Sequence, residues 1–142
     1  LFGTLETIAQ RMPLVFPVHP RTKKNMGVWG VGEPANVKLV DPVGYVQFVA
    51  LMKNSAFVLT DSGGIQEETT ALRVPCVTAR TTTERPSTTE IGTNVLVQPE
   101  REPILEAVND ILDGNRREGQ VPELWDGNAA KRIVGVLAEL YS

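Results

Sequence analysis

The stretch AFVLTDSGGIQEETTAL, Ala56–Leu72, decides how this chain folds. AFVLT is an almost wholly apolar run of strand length, the pattern of a strand covered on both faces. DSGG breaks the run, and Gly64–Leu72 reads as a helix. A buried strand, a glycine turn and a helix form one half of a parallel crossover unit.

Working outward, the same alternation recurs. Leu1, Leu5, Ile8, Ala9 and Met12 stand at helical spacing, and Pro13 stops that helix. LVFPVH, Leu14–His19, is a strand candidate; Pro20–Met26 reads as a loop with a short helix. VKLV, Val37–Val40, is a second strand, and Tyr45, Phe48, Val49 and Met52 line one face of a helix. After Leu72 come the strand CVTA, Cys76–Ala79, the polar stretch Arg80–Gly92, and the strand VLV, Val95–Val97. Pro103 suits the first position of a helix. Ile104, Leu105, Val108, Ile111 and Leu112 form that helix's buried face, and Gly114 ends it. Asn115–Asp126 is polar and irregular. It leads to a helix over about Asn128–Tyr141, where Ile133, Val136, Leu137 and Leu140 predict a face packed back on the domain. Parallel strands require such helical crossovers. The expected fold is therefore α/β, a doubly wound parallel sheet of about five strands, in one domain spanning 1–142.

Composition narrows the function classes. Of 142 residues, 42% are hydrophobic and 22% charged, as in an ordinary globular domain. Fourteen Lys and Arg against seventeen Asp and Glu give a formal charge of -3. That balance argues against a general nucleic-acid binder but leaves room for a small anion held by local geometry. The single Cys76 excludes an internal disulfide and fits a reducing compartment. No apolar run reaches membrane-spanning length, and no signal peptide is visible. Leu1 opens inside a helical pattern without an initiator methionine, which reads as part of a longer chain.

In open parallel sheets, ligands bind beyond the carboxyl ends of the strands. His19, Asp41, the Asp61–Gly64 run, Arg80 and Arg85 fall there. Two readings stand for DSGG. Its glycine amides, the Ser62 hydroxyl and the helix dipole suit a phosphate or pyrophosphate. Equally, Ser62 or Asp61 caps the helix while Gly63 and Gly64 make the turn. Glu67 and Glu68 compensate the helix dipole, or one of them accepts hydrogen bonds from ribose hydroxyls. His19 is a proton-transfer or phosphate-donor candidate, or a histidine tied down at a strand end. Phe48 is core by its spacing, or a ring near the strand tips available to stack on a base. Arg85 offers a guanidinium fork to phosphate, or pairs with Glu84 or Glu90 in solvent. No Cys/His cluster has metal-ligand spacing.

DSGGIQEE, followed by ALRVPCVTARTTTERP and EIGTNVLV, resembles the C-terminal half of the non-hydrolysing UDP-N-acetylglucosamine 2-epimerases. PLVFPVHPRT and LVDPVGYVQFVALM resemble the same family, so the likeness runs from about Pro13 to Leu112. The resemblance implies a Rossmann-like domain, the C-terminal half of a glycosyltransferase-B type architecture, with the active site facing an N-terminal domain. It implies interconversion of UDP-N-acetylglucosamine and UDP-N-acetylmannosamine by loss of the C2 proton, expulsion of UDP and re-addition, without metal or cofactor. A UDP-sugar substrate, a cytoplasmic location and a homodimer of the full-length protein follow from the same likeness. By motif position, Ser62, Gly63 and Gly64 hold the diphosphate and Glu68 the ribose. Phe48 lies against the uracil, the Val43 backbone reads its edge, and Arg85 and His19 face the diphosphate and the reacting sugar. His19 is the one residue assigned to catalysis. The family's N-terminal proton-transfer carboxylates have no counterpart in these 142 residues, so the chain by itself is expected to be inactive. Arg73 stands where the family usually has glycine, which implies strain if the helix ends in a left-handed turn. A glycosyltransferase of the same architecture and a non-catalytic nucleotide-binding module are the competing readings.

Overall fold

The computed structural model describes residues 2–30 and 32–141; Leu1, counted above in the first helix, lies outside them. The elements are α1 (Phe2–Ala9), β1 (Leu14–Pro17), α2 (Pro20–Val28), β2 (Val37–Val40), α3 (Tyr45–Lys53) and β3 (Val58–Thr60). Then come α4 (Gly63–Leu72), β4 (Cys76–Ala79), α5 (Pro86–Glu90), β5 (Asn94–Val97), α6 (Arg101–Leu112) and α7 (Ala129–Leu140). Strand and helix alternate as expected. Pro103 is the third residue of α6 rather than the first, which costs nothing because that amide has no intrahelical acceptor either. The short α5 lies inside the stretch read as merely polar.

All strand pairings are parallel. They form two ladders, β1–β2 and β3–β4–β5, rather than one five-stranded sheet. Side chains bridge the gap: Leu14 of β1 and Leu59 of β3 pack against both apolar clusters.

Strand alternation sends successive side chains to opposite faces. On one face of β4, Val77 joins Ile104 and Val108 of α6, Ile8 of α1 and Phe57 in the main core. On the other, Cys76 and Thr78 lie beneath α4, and there the buried layer is polar. Gln66, Thr69, Thr70, Thr78, Thr88 and Asn94 are all fully buried. Burial raises the pKa of the Cys76 thiol, with hydrogen bonds from Thr69 and Thr78 opposing the shift.

Two expected apolar faces are not buried. In α3 only Met52 is fully enclosed, and Tyr45 is 69% exposed. In α7 no residue is buried: Ile133 is 58% and Leu140 71% exposed. The helical period there is real, and Arg132 ties α7 to the segment before it by donating to Asp126 and to the Leu124 carbonyl.

α4 ends in a Schellman turn. Val74 N–H donates to the Thr69 carbonyl at 2.9 Å and Arg73 N–H to the Thr70 carbonyl at 3.1 Å. Arg73 therefore takes the left-handed conformation, φ 58° and ψ 34°, which opposes its Cβ. Its side chain makes no hydrogen bond or ion pair among the described residues. Arg73→Gly should accordingly raise stability by about 0.5–1 kcal/mol, read as a higher denaturation midpoint in urea. A lower midpoint would show that the left-handed strain is absent.

Candidate functional site

Because the strands are parallel, their carboxyl ends open on a common edge of each ladder, with Thr60 opposite Thr78 and Pro17 opposite Val40. From β3 the chain passes through Asp61 and Ser62 into α4. Ser62 occupies the N-cap position with extended backbone, φ -86° and ψ 129°, yet its hydroxyl makes no capping bond. Its amide donates instead to Thr60 Oγ1 at 3.1 Å. Asp61 does not cap the helix either, so the reading of DSGG as an ordinary capped turn is not the observed one. The first amides of α4 are left without a side-chain acceptor, the condition in which a helix start receives an anion.

The loop after β4 faces this helix start. A Cβ on Gly63 would collide with Glu84 Oε1 and lie 3.4 Å from Glu84 Cδ. A carboxylate thus rests where the α4 dipole favours negative charge. Glu84 Oε2 is 3.0 Å from Arg80 Nη1. Its own backbone N–H, and then Arg80 and Arg85, hold the Glu84 carboxyl below the usual carboxylate range. Sequence reasoning weighed Glu84 only as a partner for Arg85 and gave Arg80 no role. TTTERP carried the signal, since it follows a strand end opposite DSGG.

Arg85 pairs with neither Glu84 nor Glu90. Its Nε lies 3.1 Å from Glu67 Oε2 on α4. The nitrogen is shielded from solvent and its N–H is not aligned for a hydrogen bond, so the contact is ionic. The two terminal guanidinium nitrogens have no partner among the described residues. Glu67 is therefore engaged, whereas the neighbouring Glu68, half-buried one position on, has no hydrogen bond or ion pair among the described residues.

The remaining candidates sit on the β1–β2 unit. His19 is exposed at the N-cap of α2, and its Nδ1 accepts the Arg21 N–H at 3.2 Å. That bond places the ring proton of the neutral imidazole on Nε2. Val43 is 38% exposed in the loop before α3, and Phe48 is half-buried in the first turns of α3. No hydrogen bond or ion pair joins His19, Val43 or Phe48 to the Ser62–Arg85 cluster among the described residues. Two surface grooves, one along β5 and α6 and one between Leu124 and α7, contain none of these residues.

A family profile described as UDP-N-acetylglucosamine 2-epimerase matches residues 1–138. The chain belongs to the UDP-N-acetylglucosamine 2-epimerase family. The family's enzyme from Methanocaldococcus jannaschii is 40% identical over 128 residues, covering 87% of this chain and 34% of that protein. A crystal structure of the same organism's enzyme, in complex with UDP-GlcNAc and UDP, superposes with a TM-score of 0.82 at 36% identity. It covers 97% of this chain and 39% of that one. A UDP-2,3-diacetamido-2,3-dideoxy-D-glucuronate 2-epimerase from Pseudomonas aeruginosa is 39% identical over 129 residues, covering 90% of this chain and 35% of that protein. The chain thus spans about a third of the curated relatives it matches. The fold expected from the sequence, a Rossmann-like α/β domain matching the C-terminal half of the 2-epimerase architecture, is the one it shares with these structures. Among the described residues no helix is long and apolar enough to cross a membrane, and no acidic, His or Cys group is arranged to hold a metal ion.

Proposed function

We propose that this chain is the UDP-binding half of an epimerase that interconverts UDP-N-acetylglucosamine and UDP-N-acetylmannosamine. The reading is carried by the start of α4, where Gly63 and Gly64 follow an N-cap serine that makes no capping bond and Glu67, one turn on, holds Arg85. The Ser62 hydroxyl and the Gly63 and Gly64 amides donate to the diphosphate, and Arg85 adds charge-assisted bonds. Glu68, unengaged where Glu67 is held by Arg85, accepts from the ribose hydroxyls. Phe48 lies against the uracil and the Val43 backbone meets its edge. His19, with Nε2–H unpartnered, faces the diphosphate and the reacting sugar.

In the reaction, a base takes the C2 proton and the C1–O bond breaks, its electron pair leaving on UDP. Reprotonation of the glycal on the opposite face of C2 and re-addition of UDP give the epimer. Leaving UDP gains negative charge, so donors that tighten on it lower the barrier. The base belongs to an N-terminal domain, and the full-length protein is a cytoplasmic homodimer. The relative acting on a different UDP-sugar supports assigning this half to the nucleotide rather than to the sugar.

The test joins the chain to an N-terminal 2-epimerase domain and follows UDP-N-acetylglucosamine in deuterium oxide by proton NMR. Deuterium at C2 together with the manno epimer is expected. Sugar transfer to an acceptor without C2 exchange would favour the glycosyltransferase reading, and UDP binding without turnover a non-catalytic module.

A further inference from the structure

We propose that Thr83 is a positioning residue for Arg85, set by a buried amide pair, Gln66 and Asn94. The inference rests on the UDP-binding reading above and gives Thr83, Gln66 and Asn94 a role that the resemblance did not.

Arg85 is held by its backbone on both sides. Its N–H donates to Thr83 Oγ1 at 3.0 Å, and its carbonyl accepts from Thr88 Oγ1 at 2.7 Å. Neither hydroxyl is free to wander. Thr83 Oγ1 donates its own proton to Gln66 Oε1 at 2.6 Å. Asn94 Nδ2 donates to both Gln66 Oε1 and Thr88 Oγ1, each at 3.2 Å. Asn94 Oδ1 accepts from Thr78 Oγ1 at 2.6 Å, which fixes the amide to β4. Gln66, Asn94, Thr78 and Thr88 are fully buried, and Thr83 is half-buried.

The consequence is geometric. Gln66 sits on α4, the helix whose start carries Ser62–Gly64, and Glu67 beside it holds the Arg85 guanidinium. The anion-facing helix and the anion-facing arginine are therefore joined through one network, with Thr83 as the link between side chain and backbone. Buried polar networks of this kind specify one arrangement because each broken bond leaves a group unsatisfied in low dielectric. Gln66 enters the network through Oε1, which accepts from both Thr83 Oγ1 and Asn94 Nδ2. The network ends on the backbone N–H and carbonyl of Arg85, the residue whose guanidinium pairs with Glu67 of α4.

The test uses Thr83→Val, which keeps the shape and removes the hydroxyl, with Thr83→Ser as the conservative rescue. UDP and uridine are titrated by NMR, and the exchange of the Arg85 amide proton is followed in the same samples. Thr83→Val should weaken UDP roughly three- to ten-fold, leave uridine unchanged and speed Arg85 amide exchange. Thr83→Ser should restore both readouts, and the UDP effect should vanish in an Arg85→Ala background. Equal losses for UDP and uridine, or an unchanged Arg85 amide, would overturn the proposal. Wild-type protein that does not bind UDP, while Thr83→Val still deprotects Arg85, would overturn the UDP reading and leave the backbone clamp standing. Because Thr83 lies at the edge of the network, folding of the variant is not at stake as it would be for Asn94.

Discussion

Arg85→Ala should weaken UDP binding by the 142-residue chain about 10- to 100-fold, the range of a charge-assisted bond to phosphate. The Arg85 side chain is 42% exposed, and its ion-pair partner among the described residues is Glu67, also 42% exposed. Arg85 Nε is shielded, but both side chains are partly open to water, and such a pair contributes little by itself. Trading it for an anionic diphosphate at a helix start is favourable, because the guanidinium fork matches phosphate oxygens and the α4 dipole adds in the same direction. The measurement is a calorimetric titration at two salt concentrations. The wild-type affinity should fall more steeply with salt than the variant's. Since the Arg85–Glu67 pair is solvent-screened, the thermal midpoint of the variant should stay near that of the wild type, separating lost binding from lost folding. An affinity unchanged by the substitution would remove Arg85 from the site and leave the diphosphate to Ser62 and the uncapped amides of α4.

How far the site could be read from residues alone depended on whether its signal was local. The β2 and β4 boundaries follow from short-range patterns and stand where the sequence put them, and the residues read as one face of α3 lie within it. The αL turn at Arg73 was legible only through the resemblance, which puts glycine at that helix end, and Arg73 stands there at φ 58°. Partner choice was not legible. Arg85 lies next to Glu84 in sequence, but neighbouring side chains diverge, and the carboxylate that reaches it comes from α4. The amphipathic period of α7 predicted a buried face, yet periodicity states only which side is apolar, not that anything covers it. The polar layer under α4 left no trace at all. Gln66 and Asn94 read as surface residues by type, and only the pairing of β4 with β5 reveals that they meet.

Gly92→Ala should cost at least about 2 kcal/mol of stability, the upper part of the range for overpacking a filled interior. A Cβ at Gly92 would stand 2.5 Å from Thr70 Oγ1, 2.6 Å from Thr70 Cγ2 and 2.6 Å from the Thr88 carbonyl oxygen. Thr70 and Thr88 are fully buried, and the carbonyl is backbone, so no flexible chain end can give way. Retreat on the opposite side is closed as well. Gly119 packs its backbone on Gly92, where its own Cβ would collide with the Gly92 carbonyl. Gln120 N–H then donates to the Ile91 carbonyl at 2.8 Å, fixing that approach. Moving Gly92 would drag Thr93, whose hydroxyl donates to the Val74 carbonyl at 2.7 Å, and Asn94 beyond it. The strain should therefore reach the network that holds Arg85. Urea denaturation of the variant should show a lower midpoint with an unchanged slope. Gly64→Ala is the control: a Cβ there meets nothing within 4 Å, and its stability should stay within about 0.5 kcal/mol of the wild type. Equal midpoints for Gly92→Ala and Gly64→Ala would mean that the β4–β5 edge and the Gly119 segment yield together, and that the interior beneath α4 is softer than its packing implies.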